Sequence, residues 1–248
     1  MIILKNNNEI DRMREANRIL AHLFEHLRPM VQPGITTAEL DSEAELFIRS
    51  HNAVPAFKGY RGFPSTLCTS VNEEVVHGIP GTRRLCSGDI VSIDVGALFE
   101  GFYSDAARTF TVGIVSKQAL RLMDTTEKAL AAGISQAYPG NRLSDISCAI
   151  QQVVESQGFN VVRDFVGHGI GKGLHEDPQI PNFGKKGNGP VLEEGMTFAI
   201  EPMVNQGSWR VVILADGWTA VSSDGSLSAH FEDTIAITRD GPVILSAL

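Results

Sequence analysis

The sequence contains the same arrangement twice: a pair of amphipathic helical patterns separated by a Pro-Gly dipeptide. In the first copy, apolar residues recur at helical spacing over residues 9–27, and Asn8 is the candidate N-cap. Pro33-Gly34 interrupts this periodicity, and a second helical pattern runs from Thr37 to about His51. These residues are therefore predicted to form two helices.

The second copy follows the first at a shift of 106 residues. A helical pattern over residues 117–137 precedes Pro139-Gly140, and another helical pattern follows that dipeptide. The shift places Pro33-Gly34 on Pro139-Gly140, and such self-similarity predicts two structurally related halves. The predicted halves span residues 8–113 and 114–240 of a single domain of residues 1–248.

Stretches with the alternation and composition of β-strands follow each helix pair. An α+β fold is predicted, in which helices cover one face of an antiparallel sheet. The predicted strands are residues 66–72, 90–99 and 102–112 in the first half, and residues 161–166, 196–204, 211–214 and 231–238 in the second.

Composition argues against several classes of protein. The formal net charge is −8 and no run of Lys and Arg is interleaved with aromatic residues, so nucleic acid is not an expected partner. No apolar run reaches membrane-spanning length, and the N-terminus turns polar too early for a secretory signal, so neither membrane anchoring nor export is expected. Cys68, Cys86 and Cys148 are odd in number and form no Cys-x-x-Cys pair, which favours a reducing cytoplasm.

Asp94 lies in the apolar stretch Ile-Val-Ser-Ile-Asp-Val, which is predicted to be a buried strand. If Glu100-Gly101 forms a two-residue turn, Asp94 faces Ala107, and Asp105 lies on the same face one diagonal step away. At that range two carboxylates repel by roughly 4 kcal/mol, so one must be protonated or a cation must lie between them. Alternatively, Asp105 pairs with Arg108 and Asp94 caps a buried backbone group.

Three further segments each place a metal-capable side chain beside a predicted strand. These side chains are His168 in Gly-His-Gly-Ile-Gly, Glu201 in Ile-Glu-Pro-Met, and Glu232 in His-Phe-Glu-Asp-Thr. The glycine-rich segment matches neither the dinucleotide pattern nor the P-loop pattern. Its glycines are interpreted as letting the backbone pass close to a bound group at which His168 points.

Together these segments resemble the type I methionine aminopeptidases, over residues from about 11 to 245. The resemblance depends on the ordered set of motifs, because each motif alone is weak. The motifs are residues 72–80, 89–95, 101–105, 167–171 with 175–178, 196–203 and 227–234. This family has the pita-bread fold, an α+β fold with two halves related by a pseudo-twofold axis, and the resemblance implies that fold for this chain.

The resemblance implies a metal site built from four carboxylates and one imidazole. The implied ligands of two divalent ions are Asp94, Asp105, His168, Glu201 and Glu232, with Asp105 and Glu232 shared between the ions. Oxygen-rich ligation of this kind suits Co, Mn, Fe, Zn or Ni. We expect a hydroxide bound by the two ions to attack the substrate carbonyl while Glu201 transfers its proton to the leaving amine.

Two more histidines fall on family positions that contact substrate near the scissile bond. His77 is expected to hydrogen-bond the amide that is cleaved, and His175 is expected to stabilise the developing oxyanion. The resemblance further implies a pocket for an unbranched apolar side chain, assigned to Tyr60, Phe63, Cys68 and Trp218. Phe57 and Leu174 differ from side chains that some family members have in this pocket wall.

The activity implied by the resemblance is hydrolysis of the peptide bond after an N-terminal methionine when the second residue is small. Expected substrates are N-terminal methionyl peptides and nascent chains, with the ribosome as a candidate place of encounter. The chain is expected to act as a cytoplasmic monomer.

Three other functions stay open at this point. A proline-directed aminopeptidase or dipeptidase would share the five ligands, although such relatives usually carry an additional N-terminal domain for which 248 residues leave no room. A non-haem iron oxygenase would use His175, Asp177 and His230 as a two-His, one-carboxylate triad. A binding protein that had lost catalysis would be expected to lack ligands, whereas all five are present.

Overall fold

The computed structural model describes all 248 residues, and its four α-helices form two pairs. The helices are α1 (Asn7–Leu27), α2 (Thr37–Ser50), α3 (Lys117–Ile134) and α4 (Leu143–Ser156), with short 3₁₀ helices at Arg28–Met30 and Tyr60–Gly62. None of them is long and apolar enough to cross a membrane.

The helix boundaries follow from local capping chemistry. The side chain of Asn6 accepts a hydrogen bond from the Glu9 backbone, and the Glu9 side chain accepts one from the Asn6 backbone, which is a complete capping box. The prediction of Asn8 as N-cap is therefore wrong by two positions, because the helix already begins at Asn7 and the capping box joins Asn6 to Glu9. Thr36 and Glu39 cap α2 in the same way.

Fifteen strands form four hydrogen-bonded antiparallel sheets. The strands are β1 (Val54–Pro55), β2 (Leu67–Val71), β3 (Glu74–Val76), β4 (Ile90–Phe99), β5 (Phe102–Thr111), β6 (Asn160–Val161), β7 (Gly167–Gly169), β8 (Glu176–Ile180), β9 (Thr197–Ile200), β10 (Met203–Asn205), β11 (Val211–Ile213), β12 (Ala220–Ser222), β13 (Ser228–His230), β14 (Asp233–Thr238) and β15 (Gly241–Ile244). The largest sheet has the order β15-β14-β9-β7-β8, and a second joins β1, β4 and β2 with β5 paired to β4. The α+β prediction is confirmed.

Two strand predictions differ from the structure in ways that matter for function. The predicted strand 196–204 is divided into β9 and β10 at Glu201-Pro202, since proline has no N–H to donate to a sheet. The predicted strand 231–238 begins only at Asp233, which leaves Glu232 in the connection after β13. Both glutamates therefore lie at interruptions of the sheet. In addition, the strand predicted at 161–166 ends at Val161.

The internal repeat is visible in the helix pairs. Helices α2 and α4 begin at Thr37 and Leu143, 106 positions apart, and each is followed by a two-residue strand, β1 or β6, at the same shift. Gly34 and Gly140 precede these helices with φ of 99° and 92°, a conformation that glycine adopts without steric cost.

Each helix pair packs on its own sheet. Helices α1 and α2 bury residues such as Leu23 and Leu40 with Ile93 of β4, while α3 and α4 bury Leu122 and Ile146 with neighbouring strands of the second half. The two halves are joined by an isolated bridge in which Ala107 and Glu232 exchange backbone hydrogen bonds of 3.4 and 2.9 Å. That junction lies at the candidate site.

Candidate active site

The β4–β5 hairpin holds the first two acidic candidates on one face. Its turn is Glu100-Gly101, with φ of 49° and 82°, and both positive values are typical of a type I′ turn. Asp94 pairs with Ala107, and Asp105 pairs with Gly96, so the predicted register is confirmed. This geometry directs the side chains of Asp94 and Asp105 to the same side of the sheet.

His168 lies in the centre of β7, between β8 and β9. Its Nδ1 atom is 2.9 Å from the carbonyl oxygen of Gly169, so Nδ1–H donates and Nε2 is left with a free lone pair. Nε2 is 3.7 Å from Asp105 Oδ2 and 3.5 Å from Glu201 Oε1. A backbone carbonyl that fixes the tautomer in this way is the usual arrangement for a metal-binding histidine.

The flanking glycines explain why His168 can approach its neighbours so closely. A Cβ atom built on Gly167 would overlap the carbonyl of Ala199 in β9, and one built on Gly169 would overlap the carbonyl of Asp177. These glycines therefore permit close approach of neighbouring backbone, and the prediction that they make room for a bound group is corrected in that respect.

Arg108 does not neutralise Asp105. Its guanidinium group donates to Asp233 Oδ1 at 2.5 Å and to the carbonyl oxygen of Glu232. Both acceptors belong to the second half of the chain. The alternative in which Arg108 pairs with Asp105 is therefore wrong. Arg108 instead anchors the backbone that carries the Glu232 side chain.

The five predicted ligands converge in one cleft of about 150 Å³. Asp105, His168 and Glu232 each offer a ligand atom within 4.8 Å of the others. Three carboxylate oxygens, Asp94 Oδ1, Asp105 Oδ1 and Glu232 Oε1, are buried without a hydrogen-bond partner. Buried polar atoms are rarely left unpaired, so this cluster fits a cation that would supply the missing partners.

The charges of the cluster lead to the same conclusion. Burial raises the pKa of Asp94 from 3.8 to about 7. Burial, and then the charge of neighbouring carboxylates, raises the pKa values of Asp105, Glu201 and Glu232 well above the ordinary range. Without a cation, the four groups cannot all ionise at neutral pH.

We expect Asp94 to contribute less and less to the stability of the metal-free chain as the pH rises from about 4 to about 7. In that interval folded Asp94 keeps a proton that the unfolded chain has released, since its pKa is about 7 when folded and near 3.8 when unfolded. At this group the folded state binds more protons, so its contribution to the free energy of unfolding falls with rising pH. The buried histidines act with the opposite sign below pH 6.5, because burial lowers the pKa values of His77 and His168 to about 4. Urea denaturation of the chelator-treated wild type and of Asp94→Asn at pH 5 and pH 8 isolates the Asp94 contribution, and the wild type is expected to lose more stability than the variant, or to gain less, between the two pH values.

The matched control for this prediction is the protein with saturating Mn²⁺. A bound cation lowers the carboxylate pKa values, so the stability gained on adding Mn²⁺ is expected to be larger at pH 8 than at pH 5. Equal changes in the stability of the metal-free wild type and of Asp94→Asn between pH 5 and pH 8 would contradict the raised pKa of Asp94.

The two predicted substrate histidines line the same cleft. His77 follows β3 with φ of 60°, a left-handed conformation that is strained for any residue with a Cβ, and its ring contacts Phe165 and Trp218 edge-on at 5.3 and 6.4 Å. His175 stacks on Tyr60 at 5.3 Å, and its Nδ1 atom is 3.0 Å from the Tyr60 hydroxyl.

Both histidines are neutral at pH 7. Burial, with a smaller contribution from His175, lowers the pKa of His77 to about 4. Burial and then the Arg61 charge lower the pKa of His175. Neutral imidazoles can donate a hydrogen bond to substrate without adding positive charge to the site.

Every residue predicted for the pocket lines the cleft. Phe63 meets Trp218 edge to face at 5.2 Å, and Cys68 is the cross-strand partner of Asp94. Burial and then the Asp94 charge raise the pKa of the Cys68 thiol, so it is protonated at pH 7. Tyr60, Phe57 and Leu174 also line the cleft.

Two residues near the site were not identified from the sequence as parts of it. Arg61 lines the cleft with φ of 50°, between Gly59 and Gly62, which also have positive φ. His230, weighed only as part of an oxygenase triad, is buried with its unpartnered Nε2 atom 3.9 Å from Glu201 Oε2. The only available signals were the closely spaced glycines around Arg61 and the proximity of His230 to Glu232.

The oxygenase alternative receives no support from the structure. Asp177, its carboxylate, is 63% exposed, contacts the N-terminal ammonium group, and does not line the cleft that contains His175. The two-His, one-carboxylate triad is therefore not assembled.

Comparison with known proteins agrees with the fold and the site. Residues 11–239 match the model of metallopeptidase family M24. This match covers most of the sequence, and the convergent acidic and imidazole side chains are those expected of a metallopeptidase site. The chain belongs to metallopeptidase family M24.

Similar proteins identify the branch of that family. The chain is 59% identical to a methionine aminopeptidase of Clostridium perfringens over the full length of both, and 54% identical to methionine aminopeptidase 1 of Bacillus subtilis over 99% of each. A crystal structure of methionine aminopeptidase from Thermotoga maritima covers the whole chain with a TM-score of 0.98 and 48% identity. These are full-length matches to the methionine aminopeptidase branch, and the expected pita-bread fold is confirmed.

A prolidase structure from Pyrococcus horikoshii has the same fold at lower similarity. It is 24% identical with a TM-score of 0.81, and this chain covers 64% of its length. That likeness concerns the fold alone and does not favour the proline-directed alternative.

Proposed function

We propose that the chain hydrolyses the peptide bond after the N-terminal methionine of peptides and nascent proteins, when the second residue is small. The observation that carries this proposal is the convergence of five metal-capable side chains with apolar and aromatic side chains in one cleft. Full-length relatives named methionine aminopeptidase support the same activity.

The proposed metal site holds two divalent ions. Its ligands would be Asp94, Asp105, His168, Glu201 and Glu232, which all line the cleft. Four negative charges and two divalent cations cancel, which offsets the burial and the mutual repulsion that otherwise raise the carboxylate pKa values. Ions bound there would acidify water and polarise a carbonyl group, and oxygen-rich ligation suits Mn, Fe, Co, Zn or Ni.

Three side chains are proposed to act directly on the substrate. Glu201, which bound cations would keep ionised, would accept a proton from water and pass it to the leaving amine. Neutral His175 would donate a hydrogen bond to the developing oxyanion. Neutral His77 would hydrogen-bond the amide that is cleaved.

The methionine side chain is proposed to occupy the apolar end of the cleft. Phe63 and Trp218 pack edge to face there, and Cys68 contributes an uncharged, buried thiol. An unbranched, polarisable thioether packs well against aromatic rings, which favours methionine over branched side chains. Phe57 and Leu174 would complete the wall.

A peptide series tests the activity directly. Purified chain with added Mn²⁺ or Co²⁺ is expected to release methionine from a Met-Ala peptide, to spare Met-Leu, and to spare Ala-Pro. Chelation should abolish the release and added metal should restore it. Cleavage of Ala-Pro in preference to Met-Ala would establish the proline-directed alternative, and no hydrolysis under any metal would support a binding protein.

Metal analysis tests the number and identity of the ions. Anaerobically purified chain is expected to bind two equivalents of divalent metal and to remain active under nitrogen. One iron per chain together with oxygen consumption would contradict the proposal and favour an oxygenase.

We expect His77→Ala to lower kcat/KM by about 10²-fold, the usual size of a lost hydrogen bond in the transition state. His77→Gly is the matched backbone control, because glycine adopts the left-handed conformation of residue 77 without strain. If the imidazole matters, both variants are impaired in peptide kinetics, and His77→Asn, which keeps an N–H donor, retains more activity. An active Gly variant would show that only the backbone matters.

The cellular setting is also part of the proposal. The chain would act as a monomeric single domain in the cytoplasm, on nascent chains as they leave the ribosome. Analytical ultracentrifugation tests the monomer, and cosedimentation with ribosomes that carry stalled nascent chains tests the encounter.

A further inference from the structure

A buried ion pair holds the N-terminal residues that precede α1 against the loop next to the cleft. Lys5 Nζ lies 2.5 Å from Glu176 Oε2, and the two side chains are only 4% and 9% exposed. No other Lys or Arg ion pair of the chain is as buried as this one. Lys5 also donates from Nζ to the carbonyl of Ile3 and from its backbone to the carbonyl of Gly195.

Glu176 uses its other oxygen to hold the loop that precedes it. Glu176 Oε1 accepts a hydrogen bond of 2.9 Å from the backbone N–H of Gly173. The Lys5 stem packs on Gly171 so closely that a Cβ atom there would overlap Lys5 Cε. The loop of residues 171–176 is therefore closed on itself by Glu176 and covered by Lys5.

This loop contains His175, which lies between Gly173 and Glu176, the two residues joined by that hydrogen bond. The carbonyl of Gly171 accepts a hydrogen bond of 2.8 Å from the backbone of Tyr103, which lies two residues before Asp105 on β5. The His175 ring is 4.2 Å from the His168 ring and rests on Tyr60. Any displacement of the loop would therefore change the position of His175 relative to the carboxylate cluster.

We propose that Lys5 and Glu176 are positioning residues for His175. The inference rests on the proposed function, in which His175 stabilises the oxyanion. A carboxylate with one oxygen bound to an ammonium group and the other to a backbone N–H has a single orientation, which an apolar pair of the same volume would not impose. Pairs of this type are costly to desolvate, so stability alone is a weak reason for having one here.

Four variants test the proposal with matched controls. Lys5→Met keeps the length of the stem and removes the charge, and Glu176→Gln keeps an oxygen for Gly173 and weakens the link to Lys5. Lys172→Met is the control, because Lys172 lies in the same loop and pairs with Glu9 of α1, but its side chain is 68% exposed. His175→Ala reports the activity that remains without the imidazole.

For Lys5→Met we expect kcat on a Met-Ala peptide to fall by about 10- to 100-fold, as for small misplacements of a catalytic group. KM and the affinity for Mn²⁺ are expected to change by less than about threefold, since the pocket and the ligands are untouched. Amide hydrogen exchange in residues 171–176 is expected to speed up at a temperature where the fold stays intact. Glu176→Gln should behave similarly but more mildly, and Lys172→Met should match the wild type.

The outcomes separate this inference from the proposed function. If the wild type is active and His175→Ala is impaired, but Lys5→Met keeps its kcat, the positioning role is refuted and the function stands. A loss of kcat that matches only a loss of folded protein or of bound metal also refutes it. If the wild type cleaves no methionyl peptide, the proposed function fails. Unchanged amide hydrogen exchange in residues 171–176 of Lys5→Met would separately refute the claim that Lys5 holds this loop in place.

Discussion

Replacing Asp105 with Asn is expected to lower kcat/KM for a Met-Ala peptide by about 10³-fold or more, equivalent to several kcal/mol of lost transition-state stabilisation. Asp105 lies at the centre of the donor set, with Oδ2 3.7 Å from His168 Nε2 and Oδ1 without a partner. Asn keeps the shape of the side chain but removes the charge that would be shared between two ions. Peptide hydrolysis and the metal content per chain measure the effect.

Asp124→Asn is the matched control for Asp105→Asn. Asp124 lies on the surface of α3 and pairs with Lys128 at 2.8 Å, so losing its charge should leave activity unchanged. In the metal-free state Asp105→Asn is expected to be at least as stable as the wild type at pH 8, because one member of a repelling buried cluster has been neutralised. Full activity with two bound metals in Asp105→Asn would remove Asp105 from the site.

The sequence was sufficient to predict the hairpin that holds Asp94 and Asp105. Strand period, the Glu100-Gly101 turn and the cost of a lone buried carboxylate together determined the register that β4 and β5 adopt. These are local effects, and each depends on residues within about one hairpin of one another. The helix pairs with their Pro-Gly breaks were predictable for the same reason.

The convergence of the remaining ligands could not be derived from local patterns. Glu201 and Glu232 lie in interruptions of the sheet, and their approach to Asp105 depends on how two separate halves pack together. No periodicity in the chain encodes that packing, so the ligand set came only from the resemblance to a family. The structure brings the predicted side chains into one cleft, while their roles stay predictions.

Two features of the structure were not predicted from the sequence. The pairing of Lys5 with Glu176 spans most of the chain, and neither residue stands in a pattern that distinguishes it from a solvated charge. Arg61 lines the cleft and has a positive φ, which few non-glycine residues adopt. The sequence pattern did not predict this backbone conformation. Such features arise from tertiary packing rather than from propensity.

Replacing His175 with Ala is expected to lower kcat by about 10²- to 10³-fold, the range for removal of one oxyanion donor. The pKa of His175 is lowered by burial, so the wild-type ring is neutral at pH 7 and can donate from only one nitrogen. Its Nδ1 atom is 3.0 Å from the Tyr60 hydroxyl, and if that hydroxyl donates, the ring proton is on Nε2. Steady-state kinetics with a Met-Ala peptide, alongside metal titration, measure the effect.

Tyr60→Phe tests whether the Tyr60 hydroxyl determines which ring nitrogen of His175 carries the proton. It removes the hydroxyl partner of His175 but keeps the ring on which the imidazole stacks at 5.3 Å. We expect a smaller loss of kcat than in His175→Ala, because the proton would then be divided between the two ring nitrogens. His22→Ala, on the exposed side of α1, should leave kcat unchanged.

Equal losses of kcat and of metal affinity in His175→Ala would contradict an oxyanion role, since a side chain that contacts only substrate is not expected to affect metal binding.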